Sequence, residues 1–266
     1  MRTVLGRIWS VWVATVFFAV YLPLFPFYVL FLALGGKTER VGCHVLNQIW
    51  GRVFLALILI RVEARRNARL KPWTPYVFVG NHRSFMDIPA TALVLPFIRY
   101  LGKEELAKIP IFGYMYRRLH IVVNRADKDA RKRSMEMCDA ALKRGDALFL
   151  FPEGTTKRAS EFLVRQLYDG AFVLAVENQV PLVPVTTIHS DKVISNDGRF
   201  LMRPWVKVKV VIDEPIATTG LTHEDIPRLK ERVAQLWRER LAPYYPGLPA
   251  APPPQTQTDA RIALTQ

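Results

Sequence analysis

The chain has 266 residues, half of them hydrophobic, enough for one large core or two small ones, which excludes a wholly disordered polymer. Its 37 Lys and Arg against 23 Asp and Glu leave a formal charge of +14, so the surface seeks an anionic partner: nucleic acid, an anionic membrane face or an acidic carrier protein. Cys43 and Cys138 stand far apart among apolar neighbours, with no CxxC pair and no His spacing suited to zinc, and read as buried thiols in a reducing compartment.

From Ile8 to Gly36 no side chain is charged. The run is too apolar for water, and it lacks the short core and small-residue cleavage site of a signal peptide. Pro23 and Pro26 are expected to interrupt the helix after about 15 apolar residues, roughly 22 Å against the ~30 Å hydrocarbon core of a bilayer. A second apolar stretch, 49–60, leads into "RVEARRNARLK", whose Arg61, Arg65, Arg66, Arg69 and Lys71 are expected at lipid headgroups. With Arg2 and Arg7 in front, basic residues flank both ends of the region. That symmetry favours a membrane-anchoring helical pair with both ends cytoplasmic over a single crossing, and assigns residues 1–71 to the anchor.

Beyond residue 72 short apolar runs alternate with helical stretches. "YVFVG" (76–80), "HIVVN" (120–124), "ALFLF" (147–151), "LVPVTTI" (182–188) and "WVKVKVVI" (205–212) are predicted strands. Residues 128–144 are a predicted helix stopped by Gly145. Residues 222–241 are another, capped by Thr222 and Asp225, with Leu229, Val233, Leu236 and Trp237 facing inward. The fold class is therefore α/β: a mixed, partly parallel sheet flanked by helices over residues 72–242. Residues 243–266, rich in Pro and Gln, are expected to form a flexible tail.

In such sheets ligands gather beyond the carboxyl ends of the strands, and three motifs fall there. In "NHRSFMD" (81–87), His82 follows a strand, Ser84 is the expected cap of a helix starting at Phe85, and Asp87 can fold back onto one imidazole nitrogen. A histidine so oriented can take a proton from a hydroxyl. The same residues also fit a plain capping pair beside a packed turn histidine. "FPEGTTK" (151–157) offers backbone N–H groups and hydroxyls to a phosphate or oxyanion, and equally fits an ordinary turn. Lys103 and Arg125, each after a short apolar run, could clamp a phosphate.

Other chemistries lack their residues. There is no GxSxG elbow, "GGKT" at 35–38 has Phe31 where a phosphate-binding loop needs its first glycine, and no HExxH or His/Cys cluster points to a catalytic metal. Aromatic residues interleaved with basic ones concentrate in the amino terminus, which disfavours nucleic acid. No cofactor is called for.

The set "NHRSFMD", Lys103, "VNR" (123–125), "FPEGT" (151–155) and "VPLVPV" (180–185) resembles the glycerolipid acyltransferase family, most nearly the bacterial 1-acylglycerol-3-phosphate acyltransferases. By that resemblance His82 would deprotonate the free hydroxyl of a lysolipid, with Asp87 in support, and the hydroxyl would attack an acyl thioester without a covalent intermediate. Asn81 would support the turn, Lys103 and Arg125 would bind the acceptor phosphate, and Glu153, Gly154 and Thr155 would position the acceptor. Pro181 would line the side of the donor, acyl-CoA or acyl carrier protein. The resemblance implies work at the cytoplasmic side of an inner membrane, in phospholipid synthesis. Thr156 stands where the family pattern continues with arginine, which opens the alternative of another lysophospholipid or a lyso-aminolipid as acceptor, Lys157 or Arg158 being possible substitutes. His120 stands where glycine commonly precedes the strand. Two readings from other classes stay open: a catalytically silent lipid-surface binding protein, and a hydrolase using the same base on water.

Overall fold

The computed structural model describes residues 2–67, 69–71, 74–124, 126–156, 161–194 and 202–252. The chain opens with a helical hairpin. Helix α1 (Arg2–Leu34) turns at Gly35, φ +65°, into α2 (Gly36–Leu57), and the two run antiparallel: Phe17 meets Trp50 and Phe54, and Tyr28 donates to Asn47 at 2.6 Å. The break expected at Pro23 and Pro26 is absent. Each proline removes one helical donor at ~3 kcal/mol in an isolated helix. Here Tyr21 and Tyr28, on either side of the pair, are both buried in a cluster shared with α2, which holds the two halves of α1 against one partner. The apolar stretch Gly6–Leu34, 29 residues, is consequently about 44 Å long, enough by length and composition to cross a bilayer. Outward from α2 point Val41, Val45, Ile49, Val53 and Leu57, an exposed apolar stripe at every fourth residue.

The basic stretch after the hairpin is corrected too. Arg61–Arg66 forms strand β1, which lies inside the region assigned from sequence to the anchor and belongs to the sheet. It is an edge strand, and edges carry charge because charge discourages further pairing. One of these arginines, Arg66, donates to the carbonyl of Val94 at 2.7 Å.

The remaining strands are β2 (Val77–Gly80), β3 (Arg99–Lys103), β4 (Ile121–Val123), β5 (Leu148–Leu150), β6 (Leu182–Ile188) and β7 (Lys207–Ile212). They form one seven-stranded sheet in the order β1-β7-β6-β2-β5-β3-β4. Strands β6, β2, β5, β3 and β4 are mutually parallel; β7 is antiparallel to β6 and parallel to β1. The mixed, partly parallel sheet expected from the sequence is thus present, and the five parallel strands all end at one edge.

Alternation along the strands divides the core in two. Val77, Val79, Leu148, Leu150 and Leu182 face α5 (Lys128–Lys143), α6 (Gly170–Glu177) and α8 (Ile226–Leu241), where Cys138, Phe172 and Trp237 are fully buried. Phe78, Phe149, Val183, Val185, Val208 and Val210 face the other way, against α3 (Asp87–Val94) and the inner side of the hairpin, Val13, Val16, Phe54, Leu55 and Ile58. Hairpin and sheet share this second core.

At the far end Thr222 and Asp225 make the capping box read from the sequence, a 3-10 turn leads into α8, and Leu229, Val233 and Trp237 are buried on it. The tail assignment is corrected for its first part. Tyr244, Tyr245 and Leu248 pack on the core, and Leu163 and Val164 donate to the carbonyls of Pro249 and Ala250. Residues 253–266 lie outside the described residues.

Candidate active site

Because β2, β5, β3, β4 and β6 end at one edge, the segments after them converge there. Asn81 leaves β2 and continues its pairing by side chain: Nδ2 donates to the carbonyl of Thr187 at 3.0 Å, and Oδ1 accepts from Thr187 N at 2.7 Å. This fully buried amide locks the turn to β6, and His82 follows on a fixed stem.

Asp87 is the first residue of α3, two positions later than the predicted helix start, with Met86 rather than Ser84 as the cap. Ser84 instead accepts from Met86 N through its hydroxyl at 3.3 Å. One carboxylate oxygen of Asp87, Oδ2, accepts from His82 Nδ1 at 2.9 Å, from Arg83 N at 2.8 Å and from Ser84 N at 2.9 Å. The carboxylate is fully buried, so it both closes the turn and fixes the imidazole, the two readings of the motif coexisting. The ring of His82 stacks on Phe151, centroids 3.9 Å apart and planes 20° from parallel. Its Nε2 has no hydrogen-bond partner among the described residues. An imidazole whose Nδ1–H is held by a buried carboxylate has the geometry to take a proton at Nε2.

Glu153, in the loop after β5, is buried and has a structural task that the sequence did not show. Its Oε1 accepts from the backbone N–H of His82 at 2.9 Å and its Oε2 from Arg165 Nε at 2.8 Å. It is tied to the histidine turn through one oxygen and to Arg165 through the other. Gly154 has φ +71°, and a Cβ there would come within 2.9 Å of the Tyr168 ring, so both backbone and space require glycine. Thr155 is exposed and Thr156 half-buried beyond it; Lys157 and Arg158 lie outside the described residues.

Lys103 stands at the carboxyl end of β3, on the same edge, in an exposed pair with Glu105 at 2.7 Å. Arg125 lies outside the described residues. Pro181 is displaced from the site. It precedes β6 at the opposite end of the sheet, where its carbonyl accepts from Val77 N, whereas the histidine turn meets β6 at Thr187. The length of β6 separates them.

Sequence reading missed several supports, all of them long-range. Buried Arg83 reaches the carbonyl of Phe162 at 3.1 Å and Asp191 at 3.3 Å, and lies 4.1 Å from the centroid of the Tyr245 ring. Tyr245 in turn donates to Asp191 at 2.6 Å, so the supposed tail braces the turn. On α3, Thr91 bonds the carbonyl of Asp87 at 2.7 Å and the hydroxyl of Tyr100 at 2.8 Å. His120 acquires a role: its Nδ1 accepts from Tyr100 N at 3.3 Å. Burial, with the Arg99 guanidinium, pushes its pKa down to about 3, so it stays neutral at neutral pH.

Beside the turn lies an apolar cavity of about 420 Å³ enclosed by the hairpin, α3 and α4 (Phe112–Leu119). Phe85 and Met86, from the same seven-residue motif as His82, line it with Phe17, Trp50, Phe97 and His120. An apolar space of this size suits a hydrocarbon chain.

The Acyltransferase family model matches residues 60–188, from the last residue before β1 to the end of β6. Among curated proteins, the human 1-acyl-sn-glycerol-3-phosphate acyltransferase beta is 31% identical over 208 residues, which cover 76% of this chain and 71% of that one. The 1-acyl-sn-glycerol-3-phosphate acyltransferase of Chlamydomonas reinhardtii is 25% identical over 81% of this chain and 63% of its own length. The chloroplastic enzyme of Arabidopsis thaliana is 27% identical over 70% of this chain and 52% of its own length, so the chain spans about half to two thirds of these two relatives. In three dimensions the fold is that of the 1-acyl-sn-glycerophosphate (LPA) acyltransferase PlsC from Thermotoga maritima, with a TM-score of 0.72 at 23% identity, covering 91% of this chain and 98% of that one. Sequence likeness running from the hairpin's end through the histidine turn, on a sheet of this order, establishes that the chain belongs to the acyltransferase family that includes the 1-acyl-sn-glycerol-3-phosphate acyltransferases.

Proposed function

We propose that the protein transfers an acyl group from a thioester, acyl-CoA or acyl carrier protein, to the sn-2 hydroxyl of 1-acylglycerol-3-phosphate, giving phosphatidate. The observation that carries the reading is the His82–Asp87 pair, Nδ1 to Oδ2 at 2.9 Å, beside a cavity that two residues of the same motif line. His82 Nε2 takes the proton of the acceptor hydroxyl as its oxygen attacks the thioester carbon. The C–S bond then breaks, and the imidazolium returns the proton to the departing thiolate. Asp87 holds the tautomer and stabilises the imidazolium, as the carboxylate of a catalytic triad does. Asn81, Glu153 and Arg165 position the turn. Lys103 and Arg125 meet the acceptor phosphate, and Thr155, exposed beyond Gly154, contributes a hydroxyl. The formal charge of +14 suits a polyanionic donor and an anionic membrane face. With the apolar hairpin seated in the bilayer, the reaction takes place at the cytoplasmic side of the inner membrane.

A second acceptor is favoured by one specific residue. Thr156 stands where the resemblance implies an arginine, and a lost guanidinium weakens recognition of a phosphomonoester. Another lysophospholipid or a lyso-aminolipid would meet such a site on better terms.

The test is mass-spectrometric product analysis with purified protein, a labelled acyl thioester and a panel of lysolipids, wild type beside His82→Ala. Diacyl lipid from the wild type, reduced ~100- to 10,000-fold in the variant, is the expected result, and its headgroup names the acceptor. No lipid product with any donor would overturn the reading in favour of a binding protein. Free fatty acid formed without lysolipid would replace it with hydrolysis.

A further inference from the structure

Trp205 is 76% exposed, the most exposed of the large apolar side chains on the described surface. It sits two residues before β7 on a strained backbone, φ +63°, a region that bulky side chains rarely adopt. The strain is held by a clasp: its N–H donates at 3.0 Å to the carbonyl of Leu59, itself at φ +56°. Nothing in the core gains from this arrangement, because the indole points away from it. What the clasp does is fix an indole beside the carboxyl end of α2.

That position adjoins the apolar exterior of the hairpin. Leu57 is 45% exposed, and its carbonyl accepts from the indole N–H of Trp12, also 45% exposed, at 3.3 Å. Met202 N donates to Ser10 of α1 at 3.4 Å, tying the Trp205 segment to the amino-terminal end of α1. Two exposed indoles and Leu57 thus form one patch, continuous with the outward stripe of α2. Arg7, Arg61 and Arg203, all exposed, lie on the segments that build it, Arg61 N donating to the carbonyl of Val206 at 3.1 Å. Lys207, which pairs in register with Arg61, adds a further cation whose partner is Glu63 at 3.4 Å. Indoles ringed by cations are the composition of a bilayer interface, the ring at headgroup depth and the guanidinium groups toward phosphate.

We infer that segment 202–207 is a second membrane contact, made by the α/β domain itself, in which Trp205 enters the headgroup layer of an anionic bilayer and Arg61 and Arg203 meet lipid phosphates. The inference rests on the reading that the hairpin is seated in the membrane, and extends it: the domain is held at two places, which fixes its tilt on the surface. Two contacts orient a body where one leaves it free to swing.

The experiment uses the full chain with Trp205→Cys carrying a bimane label, Cys43 and Cys138 being buried. Liposomes of phosphatidylcholine with a minority of phosphatidylglycerol carry a nitroxide quencher at the headgroup or deep in the acyl chain. The expected result is stronger quenching by the headgroup nitroxide, protection of the label from aqueous iodide on binding, and a liposome affinity of the unlabelled Trp205→Ala variant lower by about fivefold. A chain that binds liposomes while its label stays as open to iodide as in solution, with Trp205→Ala binding unchanged, overturns the second contact and leaves the hairpin reading standing. Protection that appears without lipid and grows with protein concentration would give the patch to a second copy of the chain instead. Failure of the wild type to bind any liposome would overturn both readings together.

Discussion

Glu153 has both carboxylate oxygens engaged, one by the backbone N–H of His82 and the other by Arg165, in a buried position. In Glu153→Gln the amide can keep one acceptor but must turn an NH₂ group toward a donor, either the His82 N–H or the guanidinium. The turn carrying the imidazole loosens while the acceptor's contacts stay. The expected outcome is kcat lowered ~10- to 100-fold with the KM for lysolipid little changed, measured by steady-state kinetics on lysolipid in mixed micelles. A raised KM at unchanged kcat would make Glu153 an acceptor contact after all. The difference in legibility is physical. His82 and Asp87 lie five residues apart across a strand-to-helix turn, and local geometry alone brings them together. Glu153 reaches His82 across 71 positions of sequence, a contact created by the pairing of β2 with β5, and no local pattern announces it.

Among the elements, those with apolar alternation were legible and those whose chemistry looked like something else were not. The strand at 182–188 was read to the residue because both its faces are buried and every position is apolar or Thr, with Pro184 the one exception. Strand β1 is not legible in the sequence, because an edge strand rich in arginine has the composition of a headgroup-binding tail. The prolines of α1 carry a helix-breaking meaning in the sequence, which tertiary packing of Tyr21 and Tyr28 overrides. Gly80, the last residue of β2, shows how tightly one strand end determines the site. A Cβ there would lie 2.6 Å from Phe149 Cζ and 3.3 Å from Phe151, the ring on which His82 stacks. Gly80→Ala must therefore push both rings and with them the imidazole. It is expected to destabilise the fold by about 1–3 kcal/mol and to lower kcat, read from thermal unfolding and product formation side by side. Wild-type values in both would mean that the two rings relax without moving His82.

At the scale of the molecule the hairpin has two apolar faces with different jobs. The inner face, Val13, Val16, Phe54, Leu55 and Ile58, completes the core on one side of the sheet. The outer face, Val41, Val45, Ile49, Val53 and Leu57, is exposed, and in the proposed seating it is the one that meets lipid. A separate anchor joined to a self-sufficient catalytic domain would show no such sharing, and it is this sharing that composition could not reveal, since both faces are equally apolar. The two jobs should separate by mutation. Phe54 is buried, between Phe17 and Trp50 on the hairpin and the sheet below. Phe54→Ala should cost ~3–5 kcal/mol, a fall of roughly 6–20 °C in the unfolding midpoint, with activity lost in step because the same residue lines the cavity beside His82. Its liposome binding should stay near that of the wild type below the midpoint, since the outer stripe is untouched. Val45→Ser with Ile49→Ser should do the reverse, weakening liposome binding while the midpoint in detergent holds. If instead both variants lost binding and stability together, the hairpin would act as one indivisible element, and the division of its faces between sheet and bilayer would be wrong.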